Sequence, residues 1–192
     1  QSPYLVNAQA TRALVRFLQT HGVAHVLVST VAELNVAMGA RVTGVILTGS
    51  DARVTEPLCP ALMAMTSTVI LRCNVPVLGI CFGHQLLATL FGGRVESLLH
   101  PRSGWTSIRQ VHESLLLALR PPDAVRQHHS DYVRQAPPGW TVEAVSAAPD
   151  GVVVVECMSH RARRMWGVQF HPELSGAPGD RVLDTFLRMC GR

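Results

Sequence analysis

The sequence lacks several features that would assign it to common classes of protein. It has no apolar run long enough to cross a membrane, no signal-peptide pattern, no linker and no internal repeat. It also lacks lysine-rich runs and basic stretches interleaved with aromatic residues, and 17 basic against 13 acidic residues leave a net charge of only +4. We therefore expect a cytoplasmic protein that binds neither membranes nor nucleic acids. Its length and its 47% hydrophobic content suit one domain, residues 1–192.

Cysteine is scarce, and its positions do not have the paired spacing of a disulfide framework. The chain has an odd number of cysteines: Cys59, Cys73, Cys81, Cys157 and Cys190. This usage is typical of a reducing compartment. Histidine is more frequent, and the densest group is His128 and His129 with nearby His112. Because no zinc-like spacing of cysteine and histidine accompanies that group, we expect no metal site.

The chain is organised around a buried strand, a sharp turn and a helix in residues 74–96. The short apolar run at 77–80 predicts the strand, and Gly79-x-Cys81-x-Gly83 has the spacing of a nucleophile elbow with cysteine in place of serine. At such a corner the side chain projects from the carboxyl edge of the sheet, next to the unpaired N–H groups of the helix's first turn. The sequence therefore predicts a nucleophile at Cys81 rather than a core cysteine.

A second motif lies further along the chain. Residues 167–173 read Gly-Val-Gln-Phe-His-Pro-Glu and predict a strand that ends in a histidine and a carboxylate. Pro172 restricts His171 to extended backbone, and side chains at i and i+2 of an extended segment point the same way. We therefore expect Glu173 to lie behind the imidazole. Because a cysteine, a histidine and an orienting group form an activated nucleophile, the sequence predicts a catalytic triad with Cys81.

With these two motifs, the chain resembles the class I, triad-type glutamine amidotransferases over nearly its whole length. The family's elbow is similar to residues 79–85, Gly-Ile-Cys-Phe-Gly-His-Gln, and its histidine motif matches residues 167–173. The resemblance implies a flavodoxin-like, three-layer α/β domain with a mostly parallel central sheet and a small antiparallel edge or flap. It also implies hydrolysis of L-glutamine through a cysteinyl thioester, with no cofactor, and delivery of ammonia to a partner synthetase. Within the family, residues 129–173 look most like the amidotransferase part of GMP synthetases.

The resemblance also implies which groups bind the oxyanion. These are the backbone N–H groups of Phe82 and of Gly49, which follows a strand predicted at residues 45–47. A glycine at that position lets the backbone approach a ligand closely. The family usually has a second glycine and a proline where this chain has Ser50 and Asp51. We therefore expect the shape of the loop to differ from the family more than the donor itself.

The same resemblance implies which residues bind the substrate. Gln85 matches the family's substrate-binding glutamine, and residues 127–132 resemble the segment that contacts the amino-acid end of glutamine. In that segment the family's histidine is normally followed by glycine, whereas serine follows it here. The predicted substrate-binding residues are Gln85, His129, Ser130 and Asp131. Without the family context, Gln85 could equally be a helix-surface amide and residues 127–132 a polar turn.

The remaining pattern predicts alternating strands and helices, followed by short antiparallel strands. Apolar spacing predicts helices at residues 10–19, 57–72 and 181–189. Thr30 and Glu33 predict a capping box at the start of one more helix. The predicted strands are at residues 4–7, 24–28, 45–47 and 77–80, and then near 106–111, 141–146, 152–157 and 165–168.

Two alternatives to an amidotransferase stay open from the residues alone. The same triad would serve a stand-alone γ-glutamyl hydrolase or peptidase, and a non-catalytic binding or regulatory domain could retain the fold. The acceptor of the ammonia is not identified by this sequence, because it contains no ATP-pyrophosphatase-type phosphate loop.

Overall fold

The computed structural model describes residues 8–57, 60–72, 74–118, 120 and 123–191. The strand predicted at residues 4–7, together with Cys59 and Cys73, lies outside the described residues. No helix within the described ranges is both long and apolar enough to cross a membrane.

In the first half of the described chain, two successive helices are followed by alternating strands and helices, and strands dominate the second half. The helices are α1 (Ala8–Thr20), α2 (Val31–Met38), α3 (Pro60–Arg72), α4 (Phe82–Leu90) and α5 (Ala177–Met189). The strands are β1 (Val45–Leu47), β2 (Val77–Ile80), β3 (Arg94–Thr106), β4 (Arg109–Gln110), β5 (Val125–Gln135), β6 (Thr141–Ala147), β7 (Val153–His160) and β8 (Met165–Val168). The predicted helices at 10–19, 57–72 and 181–189 correspond to α1, α3 and α5.

The central sheet has the strand order β1-β2-β8-β7-β6-β4 in the described part of the chain. β1, β2 and β8 are parallel, and β7, β6 and β4 continue the sheet in antiparallel pairs. Every residue of β2 is buried, as expected for a parallel strand covered on both faces. The predicted flavodoxin-like α/β fold with an antiparallel edge is confirmed.

Helices cover both faces of this sheet, which is therefore the middle of three layers. Leu78 of β2 packs in a cluster with residues of α1 and α5. Its neighbour Val77 points to the opposite face and packs in a second cluster with residues of α3 and α4.

A separate antiparallel pair, β3 with β5, is absent from the sequence prediction. The pairing is irregular, because the register shifts between the pairs Ser97 with Asp131 and Arg102 with His129. The burial of β3 does not alternate cleanly, and several buried residues of β5 are polar, so neither sequence shows the alternation of apolar and polar residues that identifies a strand. Residues 127–132 are therefore part of a strand rather than a polar turn.

The strand predicted at residues 24–28 is wrong. Residues 23–29 form no ladder with any other residue that the structure describes, and Val26 and Leu27 are 66% and 57% exposed. An apolar run becomes a strand only where a neighbouring strand can pair with it, and within the described residues β1 pairs with β2 alone. The adjacent capping box is confirmed, since Thr30 and Glu33 each accept a backbone hydrogen bond from the other.

Backbone contacts explain the two glycines of the elbow. A Cβ atom at Gly79 would lie 2.6 Å from the carbonyl oxygen of Gly83. A Cβ atom at Gly83 would overlap the carbonyl oxygen of Leu47. A side chain at either position would push α4 away from the sheet, so the glycines decide how closely the start of α4 approaches β1 and β2.

We predict that Gly83→Ala lowers the free energy of unfolding by about 3 kcal/mol, because the methyl group overlaps rigid backbone rather than a flexible side chain. Denaturant unfolding measures this change. Gly39→Ala is the matched control, since Gly39 has helical φ and ψ of −77° and −14° and its nearest contact would be an ordinary 3.4 Å. That variant should change stability by less than about 1 kcal/mol, and an equal loss in both variants would contradict the proposed overlap.

Candidate active site

Cys81 stands at the corner between β2 and α4 in a strained conformation. Its φ of 51° and ψ of −102° are unusual for a residue with a side chain. The backbone is held there by a 2.8 Å hydrogen bond from the Cys81 N–H to the carbonyl of Val168 on β8. The sulfur lies 3.7 Å from the carbonyl oxygen of His128 and 3.8 Å from Nε2 of Gln169. The corner therefore directs the thiol toward β5 and the segment after β8.

His171 and Glu173 form a buried pair beside this corner. The N–H at Nδ1 of His171 donates to Oε1 of Glu173 over 2.8 Å, and the two side chains are 1% and 2% exposed. The extended backbone expected at His171 is present, with φ −99° and ψ 92°. The extended segment predicted through Glu173 is wrong, because β8 ends at Val168 and Glu173 lies in a 3-10 turn, Pro172–Leu174. The turn, rather than strand alternation, brings the carboxylate back to the imidazole.

Two backbone contacts fix the orientation of His171. Its N–H donates to the carbonyl of Arg126 over 2.9 Å, and its carbonyl accepts a 2.6 Å hydrogen bond from the hydroxyl of Ser175. The same hydroxyl accepts from the N–H of Arg126. The sequence motif did not identify Ser175 or Arg126, because their role depends on the pairing with β5.

The imidazole of His171 is strongly perturbed. Burial favours its neutral form, but the facing Cys81 and the carboxylate of Glu173 favour the charged form more and raise the pKa of His171 to about 10. Nε2 makes no hydrogen bond of good geometry within the described residues. His171 therefore faces Cys81 without a well-formed hydrogen bond between them. Catalytic hydrogen bonds of this kind often shorten only when substrate binds.

The two predicted oxyanion donors lie beside these groups. Phe82 is the first residue of α4, so its N–H has no partner within the helix. A Cβ atom at Gly49 would lie 2.8 Å from Cε1 of His171 and 3.7 Å from Cβ of Cys81. Only a residue without a side chain can place its backbone this close to both.

The predicted substrate-binding residues lie on α4 and β5. Nε2 of Gln85 donates to the carbonyl of Asp131 over 2.6 Å and to Oε1 of Gln169 over 3.2 Å. Gln85 is 3% exposed and therefore not a helix-surface amide.

His129 contacts the same backbone carbonyl as Gln85. Its Nδ1 donates to the carbonyl of Asp131 over 2.8 Å, while its Nε2 is buried without a partner among the described residues. Burial lowers the pKa of His129 to about 4. Ser130 is half-buried between them.

The carboxylate of Asp131 is engaged by residues that the sequence did not single out. It accepts hydrogen bonds from Arg53, Thr55 and Ser97. Arg53 lies 78 positions away in sequence, so only the folded chain brings it to Asp131. Gln169, which contacts both Cys81 and Gln85, is also new, although it stands two residues before His171 within the histidine motif.

The described residues contain no group of three or more histidine, cysteine, aspartate or glutamate side chains placed to hold a metal ion. In the histidine-rich stretch, His112 instead uses its Nδ1 to contact the carbonyl of Val142.

Comparison with known proteins identifies the family. A model of the glutamine amidotransferase class-I family matches residues 5–190. The chain belongs to this family.

Several relatives of the chain are named GMP synthases, and one is named an aminodeoxychorismate synthase. It is 32% identical over 186 residues to the glutamine-hydrolysing GMP synthase of Bifidobacterium longum, a match that covers 95% of this chain and 33% of that protein. It is 36% identical over 119 residues to a separate glutamine-hydrolysing GMP synthase subunit of Sulfolobus acidocaldarius, covering 61% of each. The chain thus spans about a third of the length of the Bifidobacterium protein.

A solved structure has the same fold. The crystal structure of a Thermoplasma acidophilum protein, assigned as one subunit of a GMP synthase, superposes with a TM-score of 0.78 and 28% sequence identity. The match covers 94% of this chain and 88% of that one.

The pKa of His171 can be measured by NMR titration of its ring signals. We predict that His171 keeps its proton up to about pH 10, whereas His129 in the same spectra titrates near pH 4. Cys81→Ser and Glu173→Gln should each lower the pKa of His171, because each removes a group that favours the charged imidazole. Titration of wild-type His171 near its ordinary value of 6.5 would contradict this electrostatic account.

Proposed function

We propose that the chain hydrolyses L-glutamine to glutamate and ammonia through a cysteinyl thioester on Cys81, and that the ammonia passes to a synthetase. The observation that carries the proposal is a strained elbow cysteine facing a buried histidine–carboxylate pair, in a chain of the class-I amidotransferase family. No cofactor is needed for this half-reaction. The cytoplasmic location of the protein stays a prediction.

The first half of the reaction forms the thioester. We propose that His171 takes the proton of the Cys81 thiol, a role that agrees with the raised pKa of His171, about 10. The sulfur attacks the side-chain carboxamide carbon of glutamine, and the N–H groups of Gly49 and Phe82 stabilise the oxyanion. As the tetrahedral intermediate collapses, His171 gives its proton to the departing nitrogen and ammonia leaves.

The second half releases glutamate. His171, now neutral, takes a proton from a water molecule, whose oxygen attacks the thioester carbon. The C–S bond breaks, and the proton returns to sulfur through His171. Glu173 keeps the proton of Nδ1 in place throughout, so that Nε2 is the atom that exchanges protons with the reacting groups.

The amino-acid end of glutamine is proposed to lie along β5. His129 supports this placement, because its buried Nε2 has no partner in the described part of the chain and is a polar atom that a ligand can satisfy. Gln85 and the carbonyl of Asp131 shape the same wall, and Ser130 lies between the two β5 residues. We assign substrate binding to Gln85, His129 and Ser130 on this basis, whereas Asp131 shapes the wall through its backbone and its carboxylate contacts the protein.

The synthetase is proposed to be of the GMP synthase type, either another chain or a further part of the same polypeptide. The relatives support this, because the chain matches about a third of a full-length GMP synthase as well as a separately encoded GMP synthase subunit. Co-purification of the chain with candidate synthetase chains tests the partner.

The alternative function, a stand-alone γ-glutamyl hydrolase or peptidase, is not favoured by the relatives. A kinetic comparison of glutamine with γ-glutamyl peptides as substrates distinguishes it from the amidotransferase.

We predict that Cys81→Ala and Cys81→Ser abolish glutaminase activity while the protein stays folded, because the thiol is the only proposed covalent nucleophile. Ammonia release measures activity, and circular dichroism checks the fold. A glutamine-analogue electrophile should label wild-type protein at Cys81, whereas a non-catalytic binding domain would not be labelled. Turnover that persists in Cys81→Ala would rule out the thioester mechanism.

We predict that His171→Ala lowers kcat by roughly 10²- to 10⁴-fold, the usual contribution of a general acid–base group. Glu173→Gln should cost less, since the carboxylate orients the imidazole and does not transfer protons to substrate. The measurement is steady-state glutamine hydrolysis. If Glu173→Gln had wild-type kcat, Glu173 would lose its proposed place in the triad.

A further inference from the structure

The loop that follows β1 is tied to β5 by one buried carboxylate. Oδ1 of Asp131 accepts from Nε of Arg53 over 3.1 Å, from its Nη2 over 2.7 Å and from the Ser97 hydroxyl over 3.0 Å. Oδ2 accepts from the N–H of Thr55 over 3.1 Å and from its hydroxyl over 2.7 Å. This loop begins with Thr48 and Gly49, so the carboxylate holds the segment that carries a proposed oxyanion donor.

The carboxylate of Asp131 has little capacity left for a ligand. Two carboxylate oxygens offer about four lone-pair sites, and the loop and β3 already occupy them. The side chain is 2% exposed, whereas the Arg53 side chain is 38% exposed. Burial would raise the pKa of Asp131, but the hydrogen bonds from Arg53, Thr55 and Ser97 hold it below its ordinary value. The carboxylate is therefore charged and committed to contacts within the protein.

The backbone of the same residue contacts α4. The carbonyl of Asp131 accepts from Nε2 of Gln85, which lies one turn after Cys81 and Phe82. Asp131 thus connects the loop of Gly49 with the helix whose first N–H is the second proposed donor. The position of Gly49 therefore depends on the carboxylate of Asp131, and the position of α4, which begins with Phe82, depends on its carbonyl.

We propose that Arg53 and Asp131 are positioning residues that hold the backbone N–H of Gly49 in the geometry needed to stabilise the oxyanion. The inference rests on the proposed glutaminase reaction and goes beyond it by assigning Arg53. The need for a tether is physical: residues 48–55 contain no proline, so no φ of the loop is fixed by a proline ring. Within the loop, the N–H of Ala52 also donates to the hydroxyl of Ser50.

Arg53→Ala tests the proposal in steady-state glutamine hydrolysis. Loss of an oxyanion donor costs on the order of 10²- to 10³-fold in kcat, so a displaced donor should cost roughly tenfold or more. KM should change little, because the donor acts on the transition state rather than on bound substrate. Arg53→Lys should recover part of kcat, since lysine restores the charge but not the two-pronged contact.

Arg94→Ala is the matched control. Arg94 also makes an ion pair on the β3–β5 sheet, 2.6 Å from Glu96, but its side chain is 70% exposed and its partner does not contact the Gly49 loop. This variant should keep wild-type kcat and KM. If Arg53→Ala folds poorly, Thr55→Val removes one hydrogen bond to Oδ2 and keeps the ion pair, and it should give a smaller loss of kcat.

Hydrogen exchange tests the tether without relying on activity. In Arg53→Ala, the backbone N–H groups of residues 49–55 should exchange roughly tenfold faster, while those of β2 should be unchanged. Unchanged exchange in the loop would overturn the proposal, as would faster exchange with wild-type kcat, or a higher KM with wild-type kcat. If the wild-type protein with its synthetase does not hydrolyse glutamine, the proposed function fails, and hydrogen exchange alone then decides whether Arg53 and Asp131 hold the loop.

Discussion

The contact between the backbone of Gly83 and the carbonyl of Leu47 presses the start of α4 against the central sheet, and the other groups of the site take their positions from it. It allows the corner at Cys81 to form with a positive φ, which costs about 1–3 kcal/mol for a residue with a side chain. The hydrogen bond to Val168 and the fully buried β2 hold that corner in place. Strain at the corner is therefore supported by a fully buried strand of the central sheet.

The β3–β5 sheet supplies the opposite wall of the site and is joined to the central sheet by another buried carboxylate. Glu156 on β7 is fully buried and accepts from Arg102 of β3, Gln127 of β5 and Ser146 of β6. Burial raises the pKa of Glu156, and these partners oppose the shift. A carboxylate in such a place is tolerated only when its oxygens are paired, so its contacts link the two sheets. Asp131 thus connects β5 to the loop after β1, and Glu156 connects β5 to β7, each through a buried carboxylate.

The elbow and the histidine motif could be read from the sequence because their determinants are local. Gly79, Cys81 and Gly83 lie within one turn of backbone, and His171 and Glu173 are separated by one residue. Glu173 nevertheless reaches the imidazole through a 3-10 turn rather than through strand alternation. The contact was predicted correctly, and its geometry was not.

The sequence by itself determined the family, the α/β alternation, the capping box at Thr30 and the candidate nucleophile, because each is encoded in short spacings that do not depend on distant partners. Only the tertiary structure decided that residues 24–28 form no strand, that β3 pairs with β5, and that Arg53 meets Asp131 across 78 positions. These features depend on which segments become neighbours. Pairing, burial and charge compensation are properties of that neighbourhood, and no local pattern of residues carries them.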